Sequence, residues 1–226
     1  MPNSLILQFK SGAPLRSAPF IAAVAADPRL AREVDPATGN TPLHWAACGA
    51  APLSVIAALL RAWKGAAAAK DSDGNVPLVG AVANGCQADA VQALLEAHPE
   101  SIRARNGHGR HTLLHTAASV GAHSSVVVLL LAAWPGAAAE QDEAGNTPLH
   151  FAAATQAHPN VVRALVKAHP AAAAIAGQLG RLPLSLAFLM EAPPASIKAI
   201  HDAFPDAMRD ERIIADWRNH GVPMDQ

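Results

Sequence analysis

Tyrosine is absent from this 226-residue chain, cysteine occurs only twice, and neither sign of charge prevails. Each shortage excludes something. Aromatic and β-branched side chains suit a pleated, half-buried surface, and their scarcity argues against a β-rich fold. Cys48 and Cys86 form no CxxC pair and are too few for a disulfide framework. Two small thiols in a reduced, intracellular chain are expected instead. The formal net charge is −1, with no long block of one sign. No nucleic-acid partner is therefore expected, since such a binder concentrates basic charge. An anionic membrane surface would demand the same. The longest apolar run, "VVVLLLAAW" from Val126 to Trp134, is about half of what a spanning helix needs. The opening "MPNSLILQFK" lacks the leading charge and long apolar stretch of a signal peptide. Residue 2 is Pro and the end "VPMDQ" holds no Cys, so lipidation is not expected. These absences make membrane insertion unexpected and a cytoplasmic location the default.

What is present is alanine and repetition. Ala is the strongest helix former, so helices should dominate. The phrase "GNTPLHWAAC" (39–48) returns as "GNVPLVGAVA" (74–83) and "GNTPLHFAAA" (145–154). Its leucine marks a column: Leu43, Leu78, Leu114, Leu149 and Leu184, with steps of 35, 36, 35 and 35 residues. A large ring recurs in a second column, as Trp63, His98, Trp134, His169 and Phe204. One unit earlier Asp27 stands in the ring slot. Two columns in step define a repeat in the solenoid range.

Each unit can be read physically. Asp, Gly and Asn in "DSDGN" (71–75) and "DEAGN" (142–146) are turn residues. Thr then supplies an N-cap oxygen, and Pro suits the first helical position, where its missing N–H costs nothing. A short apolar helix follows, such as "LHFAAATQ" from Leu149. After the loop "AHPN" comes a second helix, Val161 to Ala168, whose Val161, Val162, Leu165 and Val166 fall at helical spacing. It stops at His169-Pro170, because the residue before Pro avoids the α region. One such unit cannot bury its own apolar face, whereas stacked copies can.

At "TPLHWAA" (41–47) and "TPLHFAA" (147–153) the pattern resembles the ankyrin repeat, from about Pro36 to Glu211. The resemblance implies an all-α, ankyrin-type α-solenoid of stacked helix-turn-helix repeats with short hairpin-like finger turns. The expected division is an N-terminal segment, degenerate or frayed (1–18), and an N-terminal half repeat (19–35). Repeats 1 to 5 follow at 36–70, 71–105, 106–141, 142–176 and 177–211, and a C-terminal helix and tail close the chain (212–226). About two residues per repeat exceed the usual unit, one in the inter-helix loop and one in the Ala-rich return. The second copy, "NVPLVGAV", lacks Thr and His. The third, "RHTLLHTAA", has an extra residue and no Pro. The fifth, "RLPLSLAF", places Ser185 in the His slot, as suits a terminal repeat that faces water. Residues before Ser17 would sit where the first helix of the half repeat should be, and Gly12 and Pro14 would break such a helix. At the other end Ile213, Ile214 and Trp217 would cover the last repeat from a helix over 209–221.

Chemistry was sought among eleven histidines and two cysteines. His44, His115 and His150 share one slot, where a ring can bond to the backbone of the neighbouring unit. His98 and His169 exchange with Trp and Phe in the ring column, so they fill space. The dense cluster "HGRHTLLH" holds His108, His111 and His115. Helix onset at Thr112 leaves His111 outside it as a polar finger tip, with no Cys or carboxylate next to it in sequence to complete a zinc site. No Gly-x-Ser-x-Gly elbow and no phosphate loop occurs. No catalytic residues, cofactor or metal are therefore expected.

The resemblance implies function by binding. In ankyrin-like proteins the partner lies on a concave face built from the fingers and the exposed side of the first helices. The matching finger positions are Thr38, Asn40, Ser72, Asp73, Asn75, His108, Arg110, Glu143, Ala144, Asn146, Gln178 and Arg181. The matching first-helix positions are Cys48, Gly49, Ala83, Asn84, Ser119, Val120, Ala154 and Thr155. Such a surface is polar at its tips and small and weakly apolar on its floor. It suits another protein offering a helix or an extended peptide, bound by a monomeric adaptor, scaffold or regulatory subunit. The alternative is a targeting arm of a larger protein whose enzymatic or membrane part lies elsewhere, motivated by the half repeat that follows residue 18. A more remote alternative is a metal-dependent enzyme using His108 to His115.

Overall fold

A computed structural model describes residues 4–11, 16–105, 110–209 and 214. The chain forms two compact units, Met1–Gly107 and His108–Gln226. The first contains α1 (Leu5–Lys10), α2 (Ser17–Ala26), α3 (Pro42–Cys48), α4 (Leu53–Ala62), α5 (Pro77–Ala83) and α6 (Ala88–Ala97). The second contains α7 (Leu113–Ser119), α8 (Ser124–Ala133), α9 (Pro148–Ala154), α10 (Pro159–Ala168), α11 (Pro183–Leu189) and α12 (Pro194–Ala203). In the first unit α1, α3 and α5 stack as one row and α2, α4 and α6 as another. In the second, α7, α9 and α11 stack as one row and α8, α10 and α12 as the other.

The apolar spacing explains the stacking. Leu43, Leu78, Leu114, Leu149 and Leu184 are all buried, one per first helix. The second helices bury pairs and triplets at helical spacing: Val55, Ile56 and Leu59 in α4, Val161, Val162 and Leu165 in α10. Helix α10 starts at Pro159, two residues before the onset that its apolar run suggests, because Pro is accepted in a first turn.

Each first helix from α3 onward ends in the same way. The residue two beyond the helix is left-handed: Ala50, Gly85, Gly121, Gln156 and Glu191 all have positive φ. The next N–H then donates back across the helix end, as from Ala51 to Ala46 O and from Ala157 to Ala152 O. This wrap satisfies carbonyls that the helix leaves open.

The ring column marks the exit of each second helix. Trp63, His98, Trp134, His169 and Phe204 cap α4, α6, α8, α10 and α12 in extended backbone. A short 3-10 turn follows each: Lys64–Ala68, Pro99–Arg103, Pro135–Ala139, Pro170–Ala174 and Pro205–Arg209. These turns were not expected from the sequence. In three of them the inner residues are alanine pairs, Ala66 and Ala67, Ala137 and Ala138, Ala172 and Ala173, all buried; the other two bury Ser101 and Ala207. Alanine is used there because a larger side chain would hold the turn away from its helix.

Two expectations are corrected. The segment before residue 17 contains a helix: α1 packs on α3 and buries Leu5 and Ile6. Its first turn is fastened by Glu33, whose carboxylate accepts from Ser4 Oγ at 2.9 Å and from Ile6 N at 3.3 Å. Ser185 does not face water; it is buried, at 5% exposure. The expected closing helix, with Ile213 and Trp217, lies outside the described residues apart from Arg209 and Ile214, as do Gly12 and Pro14.

Candidate binding surface

Three described fingers are knotted around a carboxylate. Asp71 accepts from Asp73 N at 2.9 Å and Asn75 N at 2.8 Å. Asp142 accepts from Ala144 N at 2.9 Å and Asn146 N at 2.8 Å, with Asn146 Nδ2 at 3.2 Å. Asp35 accepts from Ala37 N and Thr38 Oγ1 and pairs with Lys10 Nζ at 2.7 Å. Gly74 and Gly145 close two of the turns at φ 81°, a region in which a side chain would be strained. The Lys10 contact, with further hydrogen bonds from Ala37 and Thr38, holds Asp35 below the ordinary carboxylate range. At Asp142 burial acts to raise the pKa, but the bonds from Asn146 and Ala144 outweigh it and the net direction is down.

Histidine then ties three fingers, 71–75, 142–146 and 177–181, to the first helix of the preceding repeat. His44 Nδ1 accepts from Thr41 N at 3.1 Å, which leaves the proton on Nε2, 3.1 Å from Asn75 O. His115 repeats this with Thr112 N and Asn146 O, and His150 with Thr147 N and Arg181 O at 3.2 Å. The slot therefore bonds to neighbouring backbone, as expected. Burial, first, holds His44 and His150 below the usual histidine pKa, and a protonated Nδ1 would face an N–H.

The fingers also touch one another within each unit. Ser72 N and Oγ both donate to Thr38 O, at 3.0 and 2.9 Å. Gln178 N donates to Asn146 Oδ1 at 2.9 Å.

The residues expected to meet a partner thus divide. Asn75 and Asn146 brace their own turns, and Thr38 and Asn40 sit half-buried at the knot around Asp35. Thr155 Oγ1 donates to Ala118 O, Ser119 Oγ to Thr116 O, and Asn84 Nδ2 to Gly80 O. Ser72, Asp73, Arg110, Glu143, Ala144 and Gln178 are exposed, and Arg181 is half-buried. His108 lies outside the described residues.

His111 is not a free tip. Its Nε2 lies 3.4 Å from Asp142 Oδ2, and its ring sits 4.9 Å from Phe151, edge to face. Among the described residues no group of three or more His, Cys, Asp or Glu side chains could hold a metal. Both nitrogens of His115 are already engaged. Cys86 is buried, its thiol pushed up to about 11 by that burial first, and it lies 3.4 Å from Ala47 O. Burial also raises Cys48, so neither thiol offers the thiolate that a nucleophile needs.

Sequence reasoning named Asn146, Ala154, Gln178 and Arg181 but missed the apolar part of the patch they border. In the second unit a cavity of about 340 Å³ lies beside Phe151 and Ala154 of α9, Leu186 and Leu189 of α11, Met190, and the finger residues Leu179 and Arg181. The signal was present in "GQLGR", where a leucine occupies the tip of a finger that is otherwise polar in this chain.

Stacked pairs of a seven-residue and a ten-residue helix, each pair entered through a finger turn, define a helical repeat protein. Residues 81–175 and 114–192 match the family description of ankyrin repeats in three copies, and residues 38–71 match a single ankyrin repeat. The chain belongs to the ankyrin repeat family. No curated protein matches it. A solved chain from the complex of the predatory endopeptidase Bd0816 of Bdellovibrio bacteriovorus with its immunity protein Bd3460 is similar in fold. Its TM-score is 0.61 at 23% identity, over 80% of this chain and 89% of that one. Among the described residues no helix is long and apolar enough to cross a membrane.

Proposed function

We propose that this ankyrin repeat protein is a non-catalytic protein-interaction module, an adaptor, scaffold or regulatory subunit, that binds its partner on the finger and first-helix face. One observation carries the reading. Each carboxylate-centred finger is fastened from within, while its tip stands in water: Ser72 and Asp73 in one, Glu143 and Ala144 in another. Rigid loops with exposed tips lose little freedom on binding. The solved relative in fold comes from a complex of two proteins, which is consistent with binding by such a scaffold. The two thiols, both raised in pKa, and the engaged slot histidines supply no converging nucleophile and base, which supports the non-catalytic part of the reading.

Capture from lysate tests it. The wild-type chain is compared with a variant carrying Asp73→Lys, Ala144→Arg and Gln178→Glu, three exposed positions. A protein held by the first and lost by the second supports the face. The same proteins retained by both would reject it.

A further inference from the structure

Resting on that reading, we infer that the groove between finger 177–181 and helices α9 and α11 receives an acidic amphipathic segment of a partner protein. A large apolar side chain enters the groove, and a carboxylate within about four residues of it pairs with Arg181.

The apolar half of this follows from exposure. Leu179 is 81% exposed, Met190 40% and Leu189 39%. They flank a cavity of about 340 Å³ floored by Phe151 and Leu186. That is room for one or two side chains, and concave apolar sites of this size are where ligands bury surface. The apolar character is concentrated here: on α7 the corresponding positions are Thr116, Ser119 and Val120, on α9 Phe151, Ala154 and Thr155, whereas at the end of α11 they are Leu186, Leu189 and Met190. Leu179 is also strained, with φ 59° and ψ 23°, a left-handed conformation that a leucine adopts at a cost. An exposed apolar side chain held at such a cost marks a site with a use for it.

The acidic half follows from charge. Arg181 is the one charged side chain in the lining; His150 is there too, but burial keeps it neutral. No described carboxylate forms an ion pair with the Arg181 guanidinium. An apolar socket with one uncompensated cation at its rim favours a segment that pairs an apolar anchor with an acid. A helix presents both on one side when they are three or four residues apart.

The experiment displays random peptides to the full chain and titrates those that enrich, by fluorescence anisotropy, against wild type, Arg181→Glu and Leu189→Asn. Melting curves confirm that both variants fold. The expected peptides pair Leu, Phe, Met or Trp with Asp or Glu. Arg181→Glu weakens them about tenfold or more, and changing the peptide's acid to lysine restores binding to that variant. Leu189→Asn weakens them by a similar factor. Peptides that show no acidic preference, or that bind Arg181→Glu as well as wild type, overturn the inference. If those peptides instead lose affinity for a variant at Asp73 or Ala144, the broader interaction reading survives. Self-association of the chain that Leu189→Asn abolishes would make a second copy the occupant and overturn it as well. Enrichment of no peptide, together with no protein captured from lysate, would sink both readings.

Discussion

Fingers 142–146 and 177–181 lead into first helices of the same length, α9 and α11, yet they are held differently. The first is knotted around Asp142, and its helix is capped by Thr147 and His150. The second has Gly177 where the aspartate would stand, and Leu182 caps α11 without a side-chain bond. Its turn closes through backbone alone, from Gly177 N to Arg181 O at 2.9 Å. Both helices nevertheless bury their column leucine completely. The stack therefore rests on helix burial, while the polar fasteners set the shape and exposure of each finger. Where the central carboxylate is replaced by Gly177, an apolar tip and a groove are exposed.

The largest expected effect tests that shared core. Leu149→Ala and Leu184→Ala should each cost about 2–5 kcal/mol, as should Leu114→Ala, because all three are buried. Thermal melting that found Leu184→Ala much milder than Leu149→Ala would show that the fifth repeat lacks the core of the fourth.

A smaller loss is expected from restoring a side chain at the odd finger. A Cβ on Gly177 would lie 2.3 Å from Asn146 Oδ1 and 2.8 Å from the His150 ring. Gly177→Ala should therefore destabilise by about 1–3 kcal/mol. A neutral or stabilising result in chemical denaturation would mean that the two fingers are not in contact as described.

Acid should act through the finger carboxylates and the slot histidines, and it reaches the glycine finger only through His150, whose Nε2 donates to Arg181 O. The folded-state pKa values of His44 and His150 lie below the usual 6.5. Below that pH the unfolded chain binds more protons than the folded one, so stability is full above about pH 6.5 and declines as pH falls through it. Asp35 and Asp142 are also lowered, and their contribution is lost further down, as pH falls below the usual 3.8. Finger 177–181 has Gly177 in the Asp slot, and α11 has Ser185 in the His slot, so this repeat adds to neither step. Melting temperature against pH should show the upper decline, and His150→Gln should shrink it. A flat profile from pH 7 to about pH 5 would contradict the neutral-histidine fastening.

The smallest effect concerns strain. Leu179→Gly should stabilise by up to about 1 kcal/mol, because glycine accepts φ 59° freely although it loosens the unfolded chain. A clear destabilisation would indicate that Leu179 is packed and that the groove is smaller than described.

Much of this was legible in the sequence. The leucine column predicted every first helix from α3 to α11, and Thr41, Thr112 and Thr147 were recognisable caps. The His slot was readable as an inter-repeat bond because three copies stood in phase. Other features were not legible. "AAAA" gives no periodicity from which a 3-10 turn could be read. Asn75 and Asn146 look like tips, yet their amides turn back onto Asp71 and Asp142. His111 looks like a solvated finger residue but meets Asp142, thirty-one positions away.

The sequence by itself determined the repeat, the helix pairs and the family, because apolar period, turn residues and caps are local and each was written several times. The tertiary structure alone decided which polar residues are spent inside the fingers and which remain for a partner. That depends on side-chain geometry within each turn and on contacts between residues about one repeat apart, neither of which a pattern of residue types encodes. It also decided that Leu186 and Leu189 of α11 and the following Met190 stand around an open groove beside Arg181.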